Sequence, residues 1–319
     1  MAGAVQRFVD FSPPVLVSIA GERASYRFLE FFTARIRNPH TRRSYGRAVG
    51  DFCAWLEARG LRDITQVNSF VVAAWVEHMQ QGHPAPTVKQ RLAAVRMMFD
   101  WLATGGVLPF NPATAVRGPR HSVKQGKTPV LSPEEARHLL DSIDIATPIG
   151  LRDRALIGLM VYSFGRIGAA LAMRVEDVFT QQRRLWVRLH EKGGKEHVMP
   201  CHHNLEEYLH AYTEGCGLVE DPQGPLFRTI GRGTKALTRT SLPQANAWAM
   251  IQRRAMAAGI ETKIGNHTFR ATGITAYLKN GGTLERAALM ANHASTRTTQ
   301  LYDRRFDEIS LDEVERVLI

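Results

Sequence analysis

A stretch of helix-breaking residues that begins about a third of the way along the chain divides it into two parts. Residues 109–130 show no apolar periodicity and combine breakers with cations: Pro109, Pro112, Gly118, Pro119, Lys124, Gly126, Lys127 and Pro129. Such a stretch cannot continue a helix or a central strand. We therefore predict a basic linker over 109–130, between a domain at 21–108 and a larger domain at 131–306. The remaining ends are an irregular lead at 1–20 and a short tail helix at 307–319.

The first of these domains reads as all helical. Apolar residues recur there at helical spacing in four segments, and one segment ends at Gly60 and another at Gly105-Gly106. The predicted helices are 22–36, 42–59, 69–79 and 87–103. Four short amphipathic helices of this kind predict a compact bundle.

The second domain reads as mainly α with one small antiparallel sheet. Ser132 followed by Pro133 and Glu135 is a capping box that opens a helix. Residues 185–189 and 196–200 read as two strands, joined by a hairpin whose Gly193 and Gly194 supply positive φ. The other predicted helices are 152–164, 167–173, 204–214, 243–258, 267–279, 284–291 and 296–306.

The charge of the chain favours a polyanionic partner. Its 41 Lys and Arg outnumber its 30 Asp and Glu, which gives a net charge of +11. Residues 1–125 carry +8 of this excess, because they hold 16 basic and 8 acidic side chains. Each phosphate that Lys or Arg neutralises releases counterions and adds affinity. The side chains that we expect to contact DNA are Lys89, Arg91, Arg96, Lys124, Lys127 and Lys195, although a solvated basic face explains the cations of 87–103 equally well.

Other classes of protein are disfavoured. The three cysteines, Cys53, Cys201 and Cys216, lack metal-ligand spacing, and His202-His203 beside Cys201 lacks further ligands. No stretch approaches ~20 apolar residues, and the N-terminus lacks the pattern of a signal peptide. We expect a soluble cytoplasmic protein with no cofactor, no metal and no small-molecule substrate.

Six side chains, in chain order, would suit the breakage of a phosphodiester without a metal. The two guanidiniums, Arg166 and Arg270, can stabilise the charge that builds on the phosphate oxygens. The phenol of Tyr302 is a better leaving group than an aliphatic alcohol, so it can hold a reversible covalent phosphodiester. The remaining three residues would handle protons: Lys192 as the acid for the departing oxygen, His267 as the acceptor of the tyrosine proton or an orienting group, and His293 as a hydrogen-bond donor to the phosphate.

These segments resemble the tyrosine recombinase (phage integrase) family. Its pattern of Arg, hairpin Lys, His-x-x-Arg, His or Trp, and Tyr matches Arg166, Lys192, His267, Arg270, His293 and Tyr302. The first 105 residues are similar in architecture to its core-binding domain. The resemblance implies a two-domain clamp around DNA with inverted half-sites and a 3′-phosphotyrosine intermediate. It also implies four protomers at synapsis, with strand exchange through a Holliday junction. The tail would dock on a neighbouring protomer or pack on its own domain.

The chain departs from the family pattern at two positions. Ala169 stands where an acidic residue usually supports the first arginine, so we expect Arg166 to be the weakest part of the site. Asn292 replaces the usual Gly before His293. Lys195 also competes with Lys192 for the acid role, and we favour Lys192 because it directly precedes the turn glycines.

The sequence leaves two other functions open beside that of a mobile-element integrase. A nicking-closing topoisomerase would use the same chemistry without a specific site. A DNA-binding regulator with a decayed site would explain Ala169, but all six reactive side chains are present.

Overall fold

The chain divides into two compact units, Met1–Ser122 and Val123–Ile319. The structure is a computed structural model, and it describes residues 12–122, 126–191 and 193–304. The division falls inside the segment 109–130 that the sequence marks as a linker. The tail at 307–319 lies outside the described residues, as do Lys124 and Lys192.

The first unit is helical. Its helices α2 to α5 correspond to the four predicted segments, and α2 continues into a π-helical turn at Phe31–Arg35. A further short helix, α1, lies at Val15–Ile19 and was not predicted, because only Leu16 and Val17 of it are buried and a five-residue helix shows no periodicity. The helices are α1 Val15–Ile19, α2 Glu22–Glu30, α3 Pro39–Glu57, α4 Ser69–Gly82 and α5 Ala85–Thr104.

The core of this unit is aromatic at its centre. Phe52 of α3 packs edge to face against Trp75 of α4, with ring centroids 4.8 Å apart, and against Phe99 of α5 at 5.9 Å. Edge-to-face pairs of this kind add to the free energy that area burial alone supplies. These contacts join three of the predicted helices into one bundle.

The first residues of the predicted linker pack on the same unit. Ala113 and Val116 are buried in its core. Arg96 of α5 donates from Nε to the Ala113 carbonyl at 3.1 Å and from Nη2 to the Val116 carbonyl. This packing could not be predicted, because two isolated apolar residues between prolines form no periodic pattern.

The second unit is mostly helical with two small antiparallel sheets, which confirms the predicted fold class. It contains α6 Pro133–Asp141, α7 Pro148–Tyr162, α8 Ile167–Leu171, β1 Val178–Gln181, β2 Arg184–Glu191, β3 Lys195–Pro200, α9 His203–Gly215, β4 Arg228–Ile230, β5 Leu237–Ser241, α10 Gln244–Ala257, α11 Asn266–Lys279, α12 Leu284–Met290 and α13 Thr296–Gln300. The capping box that opens α6 is present.

The sheets hold three strands that the sequence did not predict. Strand β1 adds to the predicted hairpin of β2 and β3, in the order β1-β2-β3. Strands β4 and β5 form a separate hairpin. These three strands have three to five residues each, too few for alternation to stand out. The predicted turn of the first hairpin is confirmed, with φ of 85° at Gly193 and 75° at Gly194.

The last predicted helix, 296–306, is shorter than expected. Helix α13 ends at Gln300, and Leu301 and Tyr302 form a turn. The carbonyl of Leu301 accepts from the Gly126 amide at 2.9 Å, and that of Tyr302 accepts from Thr275 Oγ1 at 2.8 Å. Tertiary donors thus take the carbonyls that a longer helix would use. Residues 305 and 306 lie outside the described part of the chain.

Helices α7 and α11 form the centre of the second unit and carry most of what positions the site. Gly273 of α11 faces the Val161 carbonyl and the ring of Phe164, which follows α7. Of the helices in the described ranges, none is both long enough and apolar enough to cross a membrane.

Candidate active site

Arg270 is the most buried charged group of the candidate site, with 1% of its surface exposed. It lies in the second turn of α11, and its guanidinium reaches three partners. Nη1 donates to the Phe164 carbonyl, and Nη2 donates to the Ala291 carbonyl at 2.6 Å and to His293 Nε2 at 2.7 Å. Three acceptors from two separate segments of the chain therefore fix one planar fork.

The electrostatic surroundings of Arg270 are set by other site residues. Burial, and next the positive charge of Arg166, lower the pKa of Arg270 to about 10. The nearby Tyr302 and Glu191 side chains oppose that shift. At neutral pH the guanidinium stays charged, and it is a partly desolvated cation beside a second cation. This is a strong site for an anion.

His293 is locked in one tautomer by its two hydrogen bonds. Because Arg270 can only donate, Nε2 of His293 must accept, and the proton of the neutral ring is on Nδ1. Nδ1 lies 2.8 Å from Thr299 Oγ1, so it donates to that hydroxyl. Burial, followed by Arg270 and Arg166, lowers the pKa of His293 to about 4. The ring is therefore neutral at pH 7.

Tyr302 lies next to this pair. Its ring is parallel to that of His293, with an interplanar angle of 8° and centroids 6.0 Å apart. The ring also packs against a small apolar cluster that includes Phe164 and Ile274. Its backbone is held by the bond from Thr275 described above. The phenol is thus brought to Arg270 and His293 by a turn, and not by the helix that the sequence predicted.

His267 lies three residues before Arg270 at the start of α11 and is exposed. Partial desolvation, then the charges of Arg270 and Arg166, lower its pKa below the ordinary value. The two residues share a helical face, as the His-x-x-Arg spacing predicts. A neutral imidazole at this position can accept a proton.

Arg166 is the N-cap residue of α8, but its side chain makes no capping hydrogen bond to that helix. Its Nη1 donates to Glu191 Oε2 at 2.8 Å. The side chain of Glu191 is 5% exposed, and that of Arg166 is 39% exposed. A carboxylate therefore supports Arg166 after all, although Ala169 cannot supply one.

The second departure from the family pattern also has a structural reason. Asn292 has φ of 47°, in the left-handed region. Asn is, after Gly, among the residues that adopt this conformation at least cost. The residue thus makes the same turn that a glycine would make and places His293 beside Arg270.

The lysines of the hairpin are only partly described. Lys192 lies outside the described residues, so its predicted role stays a prediction. Lys195 begins β3 directly after the glycine turn and is exposed.

Two residues of the site were missed from the sequence. One is Glu191, which occupies the last inward-facing position of β2 after Leu185, Val187 and Leu189. A charged residue in such a row was the signal that would have identified it. The other is Thr299, which is fully buried and accepts from His293. No pattern in the sequence distinguishes it from its neighbour Thr298.

The residues predicted to contact DNA differ in their surroundings. Lys89 and Lys127 are exposed. Arg91 pairs with Asp51 at 2.8 Å, and Arg96 holds the carbonyls of the following segment. Lys124 lies outside the described residues. These contacts leave the DNA roles as predictions, and Lys89, Lys127 and Lys195 are the most accessible of the five that the structure describes.

The remaining polar cluster of the sequence shows structural contacts. His202 stacks on Tyr162 with ring centroids 4.5 Å apart, and Cys201 is buried. Within the described ranges, no three His, Cys, Asp or Glu side chains are grouped as a metal site would need.

Comparison with known proteins agrees with this geometry. Residues 129–308 match the phage integrase family, and residues 26–106 match the phage integrase N-terminal SAM-like domain. The chain is 28% identical to the tyrosine recombinase XerD of Corynebacterium glutamicum over 274 residues, which cover 82% of this chain and 86% of that one. It is also 28% identical to the tyrosine recombinase XerC of Vibrio atlanticus over 301 residues, 92% of each chain.

Solved structures share the fold. A post-cleavage complex of the XerH site-specific recombinase with a palindromic difH substrate matches with a TM-score of 0.71 and 16% identity, over 97% of this chain and 98% of that one. A lambda integrase tetramer bound to a Holliday junction matches with a TM-score of 0.68 and 15% identity, over 97% and 88%. The family match covers more than half of the sequence, and the chain therefore belongs to the phage integrase family, whose members are tyrosine recombinases.

Proposed function

We propose that this recombinase cleaves DNA at specific sites by attack of Tyr302 on the scissile phosphate. The observation that carries the proposal is the convergence of Arg270, His293 and Tyr302, which come from separate elements and contact one another. The product of the attack is a 3′-phosphotyrosine and a free 5′-hydroxyl. Attack by a 5′-hydroxyl on that linkage rejoins the strand and releases the phenol.

Arg166 and Arg270 would bind the phosphate and stabilise the charge that develops in the transition state. A guanidinium presents a planar fork to phosphate oxygens. Arg270 is pre-organised by its bonds to two carbonyls and to His293. Preorganised donors in such sites typically lower the barrier by a few kcal/mol each.

The two histidines support different roles. The neutral, exposed His267 suits the acceptor of the tyrosine proton. His293 was predicted to donate to a nonbridging oxygen, which requires a proton on Nε2. In the described geometry that proton is on Nδ1, so the contacts favour His293 first as the acceptor that orients Arg270. Lys192 remains our proposed acid for the departing 5′-oxygen, with Lys195 as its rival.

The substrate would be double-stranded DNA with inverted half-sites, and four copies would bring two sites together. The lambda integrase tetramer on a Holliday junction supports this assembly, since the fold is shared. The net charge of +11 favours the DNA partner. We further propose that the protein acts in the cytoplasm on a mobile element, without a metal or other cofactor.

A nicked duplex tests the proposal, and its sequence is chosen by searching the DNA that flanks the gene for inverted repeats. The nick lets a short 5′ fragment diffuse away after cleavage, so the covalent adduct accumulates. Wild-type protein should trap the adduct, and Tyr302→Phe should trap none while it binds the duplex with unchanged affinity.

Tyr277→Phe is the matched control. Tyr277 packs against the same apolar cluster as Tyr302, so its loss of a hydroxyl has a similar effect on the local packing. It should trap the adduct at the wild-type level. An adduct that persists in Tyr302→Phe would exclude Tyr302 as the nucleophile.

A further inference from the structure

The carboxylate of Glu191 is buried at a position where a charge needs a partner. It ends β2 on the inward face, where the three preceding inward residues are Leu185, Val187 and Leu189. An unpaired carboxylate at such a position is costly, and a paired one is tolerated only with good geometry. Glu191 has that geometry, because its Oε2 lies 2.8 Å from Arg166 Nη1.

The ion pair joins the start of α8 to the end of β2, and it supports the side chain of Arg166. The backbone of Arg166 begins α8, but its side chain projects from the helix and is 39% exposed. Ala169, at the end of the first turn of α8, is buried and has no polar atom to offer. The support of the guanidinium therefore comes from β2.

The same carboxylate balances a repulsion. Arg166 and Arg270 are close enough for the charge of one to disfavour the charge of the other, and Glu191 acts in the opposite direction on Arg270. Only one of the five N–H donors of Arg166 is used by the bond to Glu191. Within the described ranges its other donors have no hydrogen-bond partner, so they can serve an anion bound between the two arginines.

We propose that Glu191 is the positioning residue of Arg166, and that this carboxylate from β2 holds the guanidinium ready for the scissile phosphate. The inference rests on the proposed function, in which Arg166 binds that phosphate. Glu191 itself would contact neither the DNA nor the reacting atoms.

Single-turnover cleavage of the nicked duplex by five variants tests the inference. Glu191→Gln keeps the shape but removes the charge, and we expect roughly tenfold to hundredfold slower adduct formation, the size of effect that a small misplacement of a reacting group produces. Its affinity for the duplex should change less than about threefold, because Arg166 keeps its charge. Glu191→Asp keeps the charge and should cleave at an intermediate rate.

The control is Glu196→Gln on the adjacent strand β3. Glu196 is exposed, and its partners among the described residues are Arg188 and His190, neither of which belongs to the site. This variant should cleave at the wild-type rate.

The decisive comparison combines Glu191→Gln with Arg166→Ala. If Glu191 acts through Arg166, the double variant will be no slower than Arg166→Ala alone, whereas independent effects would multiply. Multiplying effects, or a Glu191→Gln that cleaves at the wild-type rate, would overturn the inference. If Glu191→Gln fails to fold, Glu191→Asp takes its place, and a folded Glu191→Asp that cleaves at the wild-type rate would overturn the inference. Arg166→Ala cleaving at the wild-type rate would instead overturn the proposed role of Arg166.

Discussion

At the scale of single residues, Arg270 shows how burial prepares a cation for an anionic transition state. Two carbonyls and an imidazole hold its guanidinium in place, and a second arginine is close by. Each partner satisfies a donor that would otherwise be lost to desolvation. The price of this arrangement falls on His293, which must stay neutral to accept from Arg270.

The neutral state of His293 makes folding sensitive to acid. Its pKa is about 4 in the folded protein, against an ordinary value of 6.5. Above pH 6.5 the ring is neutral in both states, and the group adds no pH dependence. As pH falls from 6.5 to 4, only the unfolded chain takes up the proton, so stability is lost across that window.

His293→Asn removes this titration, and the free energy of unfolding measured in urea at pH 7.5 and pH 5 checks it. The wild type should lose roughly 1–2 kcal/mol more than the variant between these values, after allowance for the partial exposure of the ring. The free energy of unfolding of each protein at pH 7.5 serves as its own reference, because the variant already lacks the hydrogen bonds of His293 at that pH. Equal losses in the two proteins would contradict the neutral ring.

The order and spacing of residue types predicted the reactive residues of the site, but not the residues that hold them in place. Arg270, His293 and Tyr302 were predicted together, and the structure brings them into contact. Glu191 and Thr299 were not predicted, because a supporting partner is chosen by tertiary proximity and has no fixed distance along the chain. The carboxylate that pairs with Arg166 was missed for the same reason, since Glu191 lies 22 positions after Ala169 on another element.

At the scale of elements, the contact between α7 and α11 sets the position of Arg270. Gly273 lies one turn after Arg270, and a methyl group there would press on the Val161 carbonyl and lie 2.9 Å from Phe164 Cδ1. Phe164 has φ of 53°, and its carbonyl accepts from Arg270. The close approach of the two helices therefore also determines the position of the carbonyl that binds Arg270.

Gly273→Ala should destabilise the protein by about 1–3 kcal/mol, because a well-packed contact must open. It should also slow cleavage, since Phe164 would move. Gly168→Ala is the matched control: Gly168 is an exposed glycine of α8 with no atom within 4 Å of an added methyl. That change should be neutral or stabilise by up to about 1 kcal/mol. Thermal and urea unfolding compare the two, and equal stabilities would show that the helices can separate freely.

Element prediction located helices α2 to α13 and the hairpin of β2 and β3, and it failed for α1 and for three short strands. Helices of nine or more residues and the longest strand, β2, were found from their patterns. The short strands β1, β4 and β5 were missed, because their pairing is decided by neighbours in space. The end of α13 was placed too late, since the bonds from Gly126 and Thr275 that replace the helix come from distant segments.

At the scale of the whole molecule, the two compact units differ in charge and in content. The first carries most of the excess positive charge, and the second carries the site. The sequence predicted this division from one stretch of breakers, but it did not show that Ala113 and Val116 belong to the core of the first unit. The family match over 129–308 and the SAM-like match over 26–106 follow the same division.

If Tyr302 carries the DNA through a 3′ linkage, the trapped adduct will map to this residue. Trypsin should release the segment Thr298–Arg304, in which Tyr302 is the only tyrosine. After nuclease trimming, mass spectrometry should find a nucleotide on Tyr302 joined through its 3′-phosphate. A nucleotide on any other residue, or a 5′-phosphate linkage, would contradict the account.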